Sequence, residues 1–425
     1  GAQGEALGVY RSFLHALEGL QGMLTNAARA AEGAMGGATP TRRTELAEIA
    51  ASCRRVAHGP PQSFRDALQL IWFLIFGVMH GDGVYLVGPG HLDRTLATYY
   101  ERDRAAGRIT PEQALELIEN LYLLLNAYLP DGLAIPVMVG GRDAEGRDLT
   151  NELSYLCLEA LRRTRLIYPT VGICWHEGTP AALMDLAVEL IGKGCPNPAF
   201  FGDAVIQRGL RDLGVPPTES HAYINSTCVE ITPCGASNVW VASPYFNLCR
   251  LLLEEIGVQV REPARDFADF VAAYRRRVAA AIARAVAEQN HLRAERREHG
   301  RKPLQSVFTR DCLARGRDID DGGALYNWVE CSFVGLANLA DALKVIDEEI
   351  FRQQRLTWAE LKALLDADFA GAEAVRQRFL HAYPKYGENH PEVDGLVRET
   401  VAFLVAECRR FRMAPDGSPF VPGAF

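Results

Sequence analysis

Between Tyr223 and Asn238 the chain reads Tyr-Ile-Asn-Ser-Thr-Cys-Val-Glu-Ile-Thr-Pro-Cys-Gly-Ala-Ser-Asn, which sets the thiol of Cys228 two residues before the carboxylate of Glu230. Small and polar neighbours of this kind make a loop rather than a core strand. In extended backbone, residues i and i+2 point the same way, so the two side chains share a side. A thiol with a carboxylate beside it suits hydrogen-atom abstraction, or nucleophilic attack with a base at hand. Taken alone the pair is weak evidence, because a half-buried cysteine beside a surface glutamate is the commoner arrangement.

Other side chains carry less. His176 and Glu177 end a strand-like run and would face a substrate at its mouth, or simply form a surface turn. His80, Asp82 and His91 have metal-compatible chemistry, but no HxxxH-type spacing links them and no metal is expected. No GxxxxGK[ST] phosphate loop occurs. Phe201, Trp240 and Tyr245 are placed to line a pocket, although aromatic residues near a sheet more often fill core. Cys234 reads as a structural thiol, and Cys174 and Cys195 as buried ones.

These residues must be positioned by helices and short strands. Thr110-Pro111-Glu112-Gln113 is a capping box with proline in the first turn, followed by Ala114, Leu117, Ile118, Leu121, Tyr122 and Leu125 at helical spacing. Thr357 to Glu360 repeats the box. Thr179-Pro180 opens a helix that Gly194 closes, and Ala264 to Glu298 fits one long helix ending at Gly300. Between the helices lie β-rich runs, Ala134 to Val139, Tyr168 to Trp175, Ala199 to Phe201 and Ser306 to Thr309. Strands of this type, buried on both faces, suit an α/β barrel or sheet wrapped in helices. No repeat or long linker interrupts the pattern, which predicts one domain over 1–425.

Composition bounds the partners. With Lys+Arg 45 against Asp+Glu 53, the net charge is −8, and no basic block stands out, which argues against nucleic acid. Ten scattered cysteines without a CxxC pair read as a reduced, cytoplasmic protein rather than a disulfide scaffold or zinc module. The longest apolar run, Leu70 to Met79, falls short of the roughly 20 residues that cross a bilayer and predicts a buried helix.

The order of several blocks resembles the glycyl radical enzymes, the family of pyruvate formate-lyase and its dehydratase and decarboxylase relatives. Pro60-Pro-Gln-Ser-Phe-Arg-Asp-Ala-Leu-Gln-Leu-Ile-Trp72 is similar to the family's early helix. Gly88-Pro-Gly-His-Leu-Asp93 resembles its Pro-Gly-Arg-x-Asp turn, with His91 in place of arginine. Gly140-Gly-Arg-Asp-Ala-Glu-Gly-Arg-Asp148 with Asn151-Glu-Leu-Ser154, then Pro198 to Asp203, precede the Cys-x-Glu loop. Gly322-Gly-Ala-Leu-Tyr-Asn327, Gly335-Leu-Ala-Asn-Leu-Ala-Asp341 and Lys385-Tyr-Gly-Glu-Asn389 follow it in the family's order.

The resemblance implies a ten-stranded barrel of two five-stranded halves ringed by helices, with a cysteine loop in its interior. It implies that a glycine-centred radical, installed by a radical-SAM activating enzyme, passes to Cys228, whose thiyl takes hydrogen from a small organic substrate. Glu230 would then be the acid or base. No cofactor is expected to be bound by these 425 residues, and a homodimer is possible within the family. The acyl-transferring branch uses two adjacent cysteines; position 229 is valine, so elimination, C–X cleavage or decarboxylation is the expected chemistry. Where the diol dehydratases resemble Gly-His-Ser-x-Ser, this chain has Val84-Tyr85-Leu86-Val87-Gly88, and it has Ala242 at a substrate-contacting aspartate. Tyr85, Leu86, Phe201, Trp240, Tyr245 and His176 are thus the expected substrate-side residues, around something other than glycerol.

No Arg-Val-x-Gly-Tyr-type radical string occurs, Gly417 to Phe425 is similar to the segment just before it, and family members begin well before Tyr10. A fragment lacking the radical segment, inactive by itself, is therefore expected. The alternative is a non-catalytic barrel, or a subunit dependent on a separate radical-bearing chain.

Overall fold

A computed structural model describes residues 2–128, 135–226, 230–241 and 243–424. The chain divides into two compact units, Gly1–Asn238 with Arg297–Tyr326, and Val239–Arg296 with Asn327–Phe425.

In the first unit, helices Ala2–Gly33 and Pro40–His58 pack through Ala28, Ala31, Leu46, Ala50 and Cys53. Pro40 sits in the first turn, where its missing N–H costs nothing, and Thr39 caps that helix by accepting from Arg42 N. The apolar run Leu70 to Met79 lies inside helix Phe64–Gly81, and none of its residues is exposed. That helix is tied to its neighbour by fully buried Asp66, which accepts from Ser52 Oγ (2.7 Å), Arg55 Nε and Nη2 (3.0 and 2.8 Å) and Gln62 N (3.1 Å). Those hydrogen bonds and the Arg55 charge hold its carboxyl below the usual range although burial pushes the other way.

The strands of this unit are β1 (Gly90–His91), β2 (Pro136–Gly140), β3 (Thr170–Trp175) and β4 (Ala199–Gly202), joined in that order as a parallel sheet. Helices Leu92–Ala105, Pro111–Tyr128, Glu152–Thr164 and Ala181–Gly192 accompany it, as βα succession requires. Val137, Val139, Val171 and Ile173 join the helices in one apolar cluster. The alternate residues Met138, Gly172, Cys174 and Phe201 belong to the opposite face. Gly172 is required there: a Cβ would lie 2.6 Å from Met138 Sδ and 2.7 Å from Phe201 Cε2. An antiparallel pair, β5 (Tyr223–Asn225) and β6 (Ile231–Pro233), follows.

In the second unit β7 (Ser237–Trp240), β8 (Tyr245–Asn247), β9 (Tyr326–Val334), β10 (Arg412–Met413) and β11 (Ser418–Ala424) form one sheet. β8 and β11 both run parallel to β9, and β10 antiparallel to β11. Helices Leu248–Gln259, Phe267–His299, Leu336–Ile346 and Pro391–Cys408 cover it through Phe270, Tyr274, Ile282, Phe333, Leu343 and Leu404. The molecule is thus mixed α/β, with parallel strands sheathed by helices.

The capping boxes hold: Thr110 and Gln113 exchange bonds of 2.9 and 3.2 Å, and Thr357 and Glu360 bonds of 2.8 and 3.3 Å. The long helix begins at Phe267 rather than Ala264. Ser306 to Thr309 is not a strand. Helix Pro303–Val307 takes in its first two residues and a turn the other two, with Ser306 Oγ and Thr309 Oγ1 bonded back to the carbonyls of Lys302 and Gln305, four residues earlier. Among the described residues no helix is long and apolar enough to cross a membrane.

Candidate active site

The described residues on either side of the Cys-x-Glu sequence form a hairpin stem. β5 and β6 pair Tyr223 with Pro233, Ile224 with Thr232 and Asn225 with Ile231, and Ser226 N donates to Glu230 O at 2.7 Å. Ser226 and Glu230 therefore flank residues 227–229, and Cys228, in the middle, lies outside the described residues. Glu230 is described: its residue is 4% exposed, withdrawn from water rather than on the surface.

The hairpin stem is held by the turn that begins β1. His91 Nε2 lies 2.6 Å from Tyr223 O, which as an acceptor requires the Nε2–H tautomer. The backbone N–H of His91 is directed to Cys234 Sγ, just beyond β6. Gly90 is needed at the same contact, since it has φ +67° and a Cβ would lie 2.9 Å from Cys234 Sγ. Arg94, one turn on, donates to Gly140 O from Nε (3.1 Å) and Nη2 (2.5 Å), and at 3.4 Å to His221 O. Asp93, fully buried, accepts from Gly140 N (2.8 Å), Ser154 Oγ (2.6 Å) and Arg94 N (2.8 Å).

Burial sets the electrostatics of this turn. It pushes His91 down to about 3, with the Arg94 cation adding to the effect, so the imidazole is neutral. It lifts Asp93 to about 6 against the hydrogen bonds that favour its charge. Tyr223 is buried with its hydroxyl beside Cys174 and Asp203, which with burial holds it far above the ordinary phenol value. Cys174 is raised to about 12 by burial and is a protonated, inert thiol. Asp203 is bound through Oδ2 to Arg142 Nε (2.7 Å) and Gln207 Nε2 (2.8 Å).

Phe201 is buried on the face of the sheet that also carries Cys174. Tyr85 and Leu86 are partly exposed on the segment before β1, while the flanking Val84 and Val87 pack inward. His176 is buried and uses both ring nitrogens in its turn, Nε2 with Asp148 at 3.0 Å and Nδ1 as acceptor from Gly178 N at 3.0 Å. Trp240 and Tyr245 belong to the second unit. There the Arg296 guanidinium stacks 3.5 Å above the Trp240 ring, and Tyr245 is largely exposed on β8.

His80, Asp82 and His91 have separate partners: Phe76, the backbone N–H of Leu304 and Gln305, and Tyr223 O. Among the described residues no group of three His, Cys, Asp or Glu side chains is arranged to hold a metal. Cys195 is only half-buried. A cleft of about 460 Å³ in the second unit, bordered by Glu255, Glu262, Asp269, Arg276 and Arg284, takes in none of the sequence candidates. Sequence reading gave the turn at Gly88 to Asp93 a family place but no partner. The His91 to Tyr223 bond spans 132 positions, beyond any local pattern.

The pyruvate formate lyase-like family model matches residues 3–425. The (2S)-3-sulfopropanediol dehydratase of Klebsiella oxytoca is 28% identical over 416 residues, covering 91% of this chain and 50% of that protein. The isethionate sulfite-lyase of Nitratidesulfovibrio vulgaris is 27% identical, covering 88% and 49%. A solved structure concerned with 1,2-propanediol dehydration in Roseburia inulinivorans superposes with a TM-score of 0.90 at 28% identity, covering all of this chain and 60% of that one. The chain therefore spans about half the length of the curated relatives it matches. A family model that runs almost from end to end, over a fold shared at this level, means that the chain belongs to the pyruvate formate lyase-like family of glycyl radical enzymes.

Proposed function

We propose that this chain is the catalytic part of a glycyl radical lyase acting on a small organic molecule that carries a hydroxyl group beside a carbon bearing a leaving group. The observation that carries the reading is the anchored hairpin stem, with Glu230, two residues after Cys228 in sequence, buried at its end. The family's glycine-centred radical would take the hydrogen atom of the Cys228 S–H, forming a glycine C–H and leaving the unpaired electron on the sulfur. Cys228 then takes a hydrogen atom from the substrate carbon, forming S–H and leaving the unpaired electron on that carbon. Glu230, as a carboxylate, accepts the proton of the adjacent hydroxyl, and the C–X bond breaks with its electron pair going to the leaving group. Cys228 S–H returns the hydrogen atom to the product radical. Water is excluded from such a site because a radical must meet only its substrate.

Elimination is favoured over acyl transfer because Val229 leaves one cysteine in the loop rather than two. Two relatives are named for the dehydration of a sulfopropanediol and for the release of sulfite from isethionate, and Val84 to Gly88, in place of the diol dehydratases' polar stretch, favours a substrate other than glycerol. The test is turnover by the full-length protein, activated anaerobically by its radical-SAM partner. Cys228→Ser abolishes turnover, and Glu230→Gln leaves the glycyl-radical signal intact while slowing turnover about 10²- to 10⁴-fold. Substantial turnover by Cys228→Ser overturns the proposal.

A further inference from the structure

Three features of one buried turn bear on both strands of the cysteine hairpin. His91 is 5% exposed, and its ring spends its single N–H on the carbonyl of Tyr223, five residues before Cys228. Its backbone N–H meets Cys234 Sγ, six residues after Cys228. Its other ring nitrogen, Nδ1, is buried without a hydrogen-bond partner. A buried polar atom left bare is costly, so a side chain chosen only to fill the space would not be an imidazole. The ring also stands edge-on to Tyr223, with centroids 6.4 Å apart.

We infer that His91 is a positioning residue for the Cys228 loop, fixing the height and angle of the β5–β6 stem through its Nε2–H bond to Tyr223 O. The inference rests on the proposed role of Cys228 but concerns the hairpin itself. The strand-pairing N–H of Cys234 goes to Ala222 O, one residue earlier, so Tyr223 O is turned away from β6 and toward His91. Arg94 cannot take over, because its guanidinium is engaged by Gly140 O and reaches only to His221 O. The reach of one imidazole nitrogen decides where the stem sits. Histidine also keeps a second permanent cation away from Arg94, which an arginine at this place would introduce into a buried space.

Two near-isosteric amides separate positioning from bulk. Glutamine carries its amide nitrogen where the imidazole has Nε2, whereas asparagine carries it where the imidazole has Nδ1. The measurement is hydrogen–deuterium exchange of the intact 425-residue chain, followed by peptide mapping, with alkylation of Cys228 by iodoacetamide read from the same digests. His91→Asn is expected to accelerate exchange in the peptide spanning Tyr223 to Cys234, and alkylation at Cys228, by about tenfold, the size of a lost buried hydrogen bond. Peptides over β2 and β3 are expected to stay unchanged in both variants, and His91→Gln to remain within about threefold of the wild type at the hairpin. Equal behaviour of the two variants at the hairpin, or acceleration spread over the whole first unit, overturns the inference. Neither readout uses turnover, so loss of the catalytic reading through an active Cys228→Ser protein would leave this result standing.

Discussion

A carboxyl group buried among N–H and O–H donors is pulled in two directions, and Asp93 shows which force is larger. Its three hydrogen bonds and the nearby Arg94 favour the charged form, yet complete burial lifts it to about 6. A folded-state value raised above the unfolded one stabilises the protonated protein, so this group's contribution is full below about pH 4 and is lost as pH rises through about 6. At 1.36 kcal/mol per pH unit the difference amounts to about 3 kcal/mol. Asp93→Asn removes the titration while keeping the shape. Urea unfolding of both proteins from pH 4 to pH 7 is expected to show the wild type losing stability relative to the variant across that window; parallel curves would mean that the Asp93 carboxyl is not raised in the folded protein.

His91 shows at the same scale what a sequence withholds. Its substitution for the family's arginine was visible, and so was its place two residues before Asp93. What it touches was not, because the partner carbonyl belongs to Tyr223 and a carbonyl carries no mark of residue type. Glu230 was singled out by its spacing from Cys228, while Tyr223 and Asp203 stood only as ends of quoted blocks and Arg94 was given no role.

At the scale of elements, local grammar predicted what local forces decide. Both capping boxes, the proline-led helices and three of the four β-rich runs stand where periodicity put them. The fourth, Ser306 to Thr309, failed because Ser306 and Thr309 satisfy helical carbonyls with their own hydroxyls, a choice that β propensity does not register. Glycine placement was legible only afterwards. Gly172 reads as a weak point in a strand, yet it is the gap into which Phe201 and Met138 fit. Gly172→Ala forces both side chains off their positions and is expected to cost about 1 to 3 kcal/mol in chemical denaturation. Phe201→Leu in that background removes the ring edge from the clash and is expected to recover part of the loss. A neutral Gly172→Ala would mean that the strand shifts freely.

Over the whole molecule, each unit has its own apolar cluster, and each is closed by polar contacts between residues far apart in sequence. In the second unit the last strand is fastened to the long helix by Arg293, itself buried, whose Nη1 donates to Ser418 Oγ at 2.8 Å and whose Nη2 meets both Asp416 oxygens at 3.1 and 3.0 Å. Asn290 adds a bond from Ala414 N at 2.9 Å. β11 in turn lies along β9 from Phe420 to Ala424, so the helix, the terminal strand and the sheet centre are linked through one guanidinium. The bonds from Ser418 and Arg293 hold Asp416 below the usual carboxylate range although burial opposes them, which places its contribution above the unfolded carboxylate value and removes it as pH falls. Arg293→Met keeps the apolar stem and takes the cation away from the partly exposed Asp416, a loss of about 1 to 3 kcal/mol. Exchange in the peptide from Arg412 to Ala424 should rise accordingly at pH 7. Asp416→Asn in the same background should return part of the protection by discharging the stranded carboxylate. If Arg293→Met alone leaves that peptide protected, β9 holds the terminal strand without the helix.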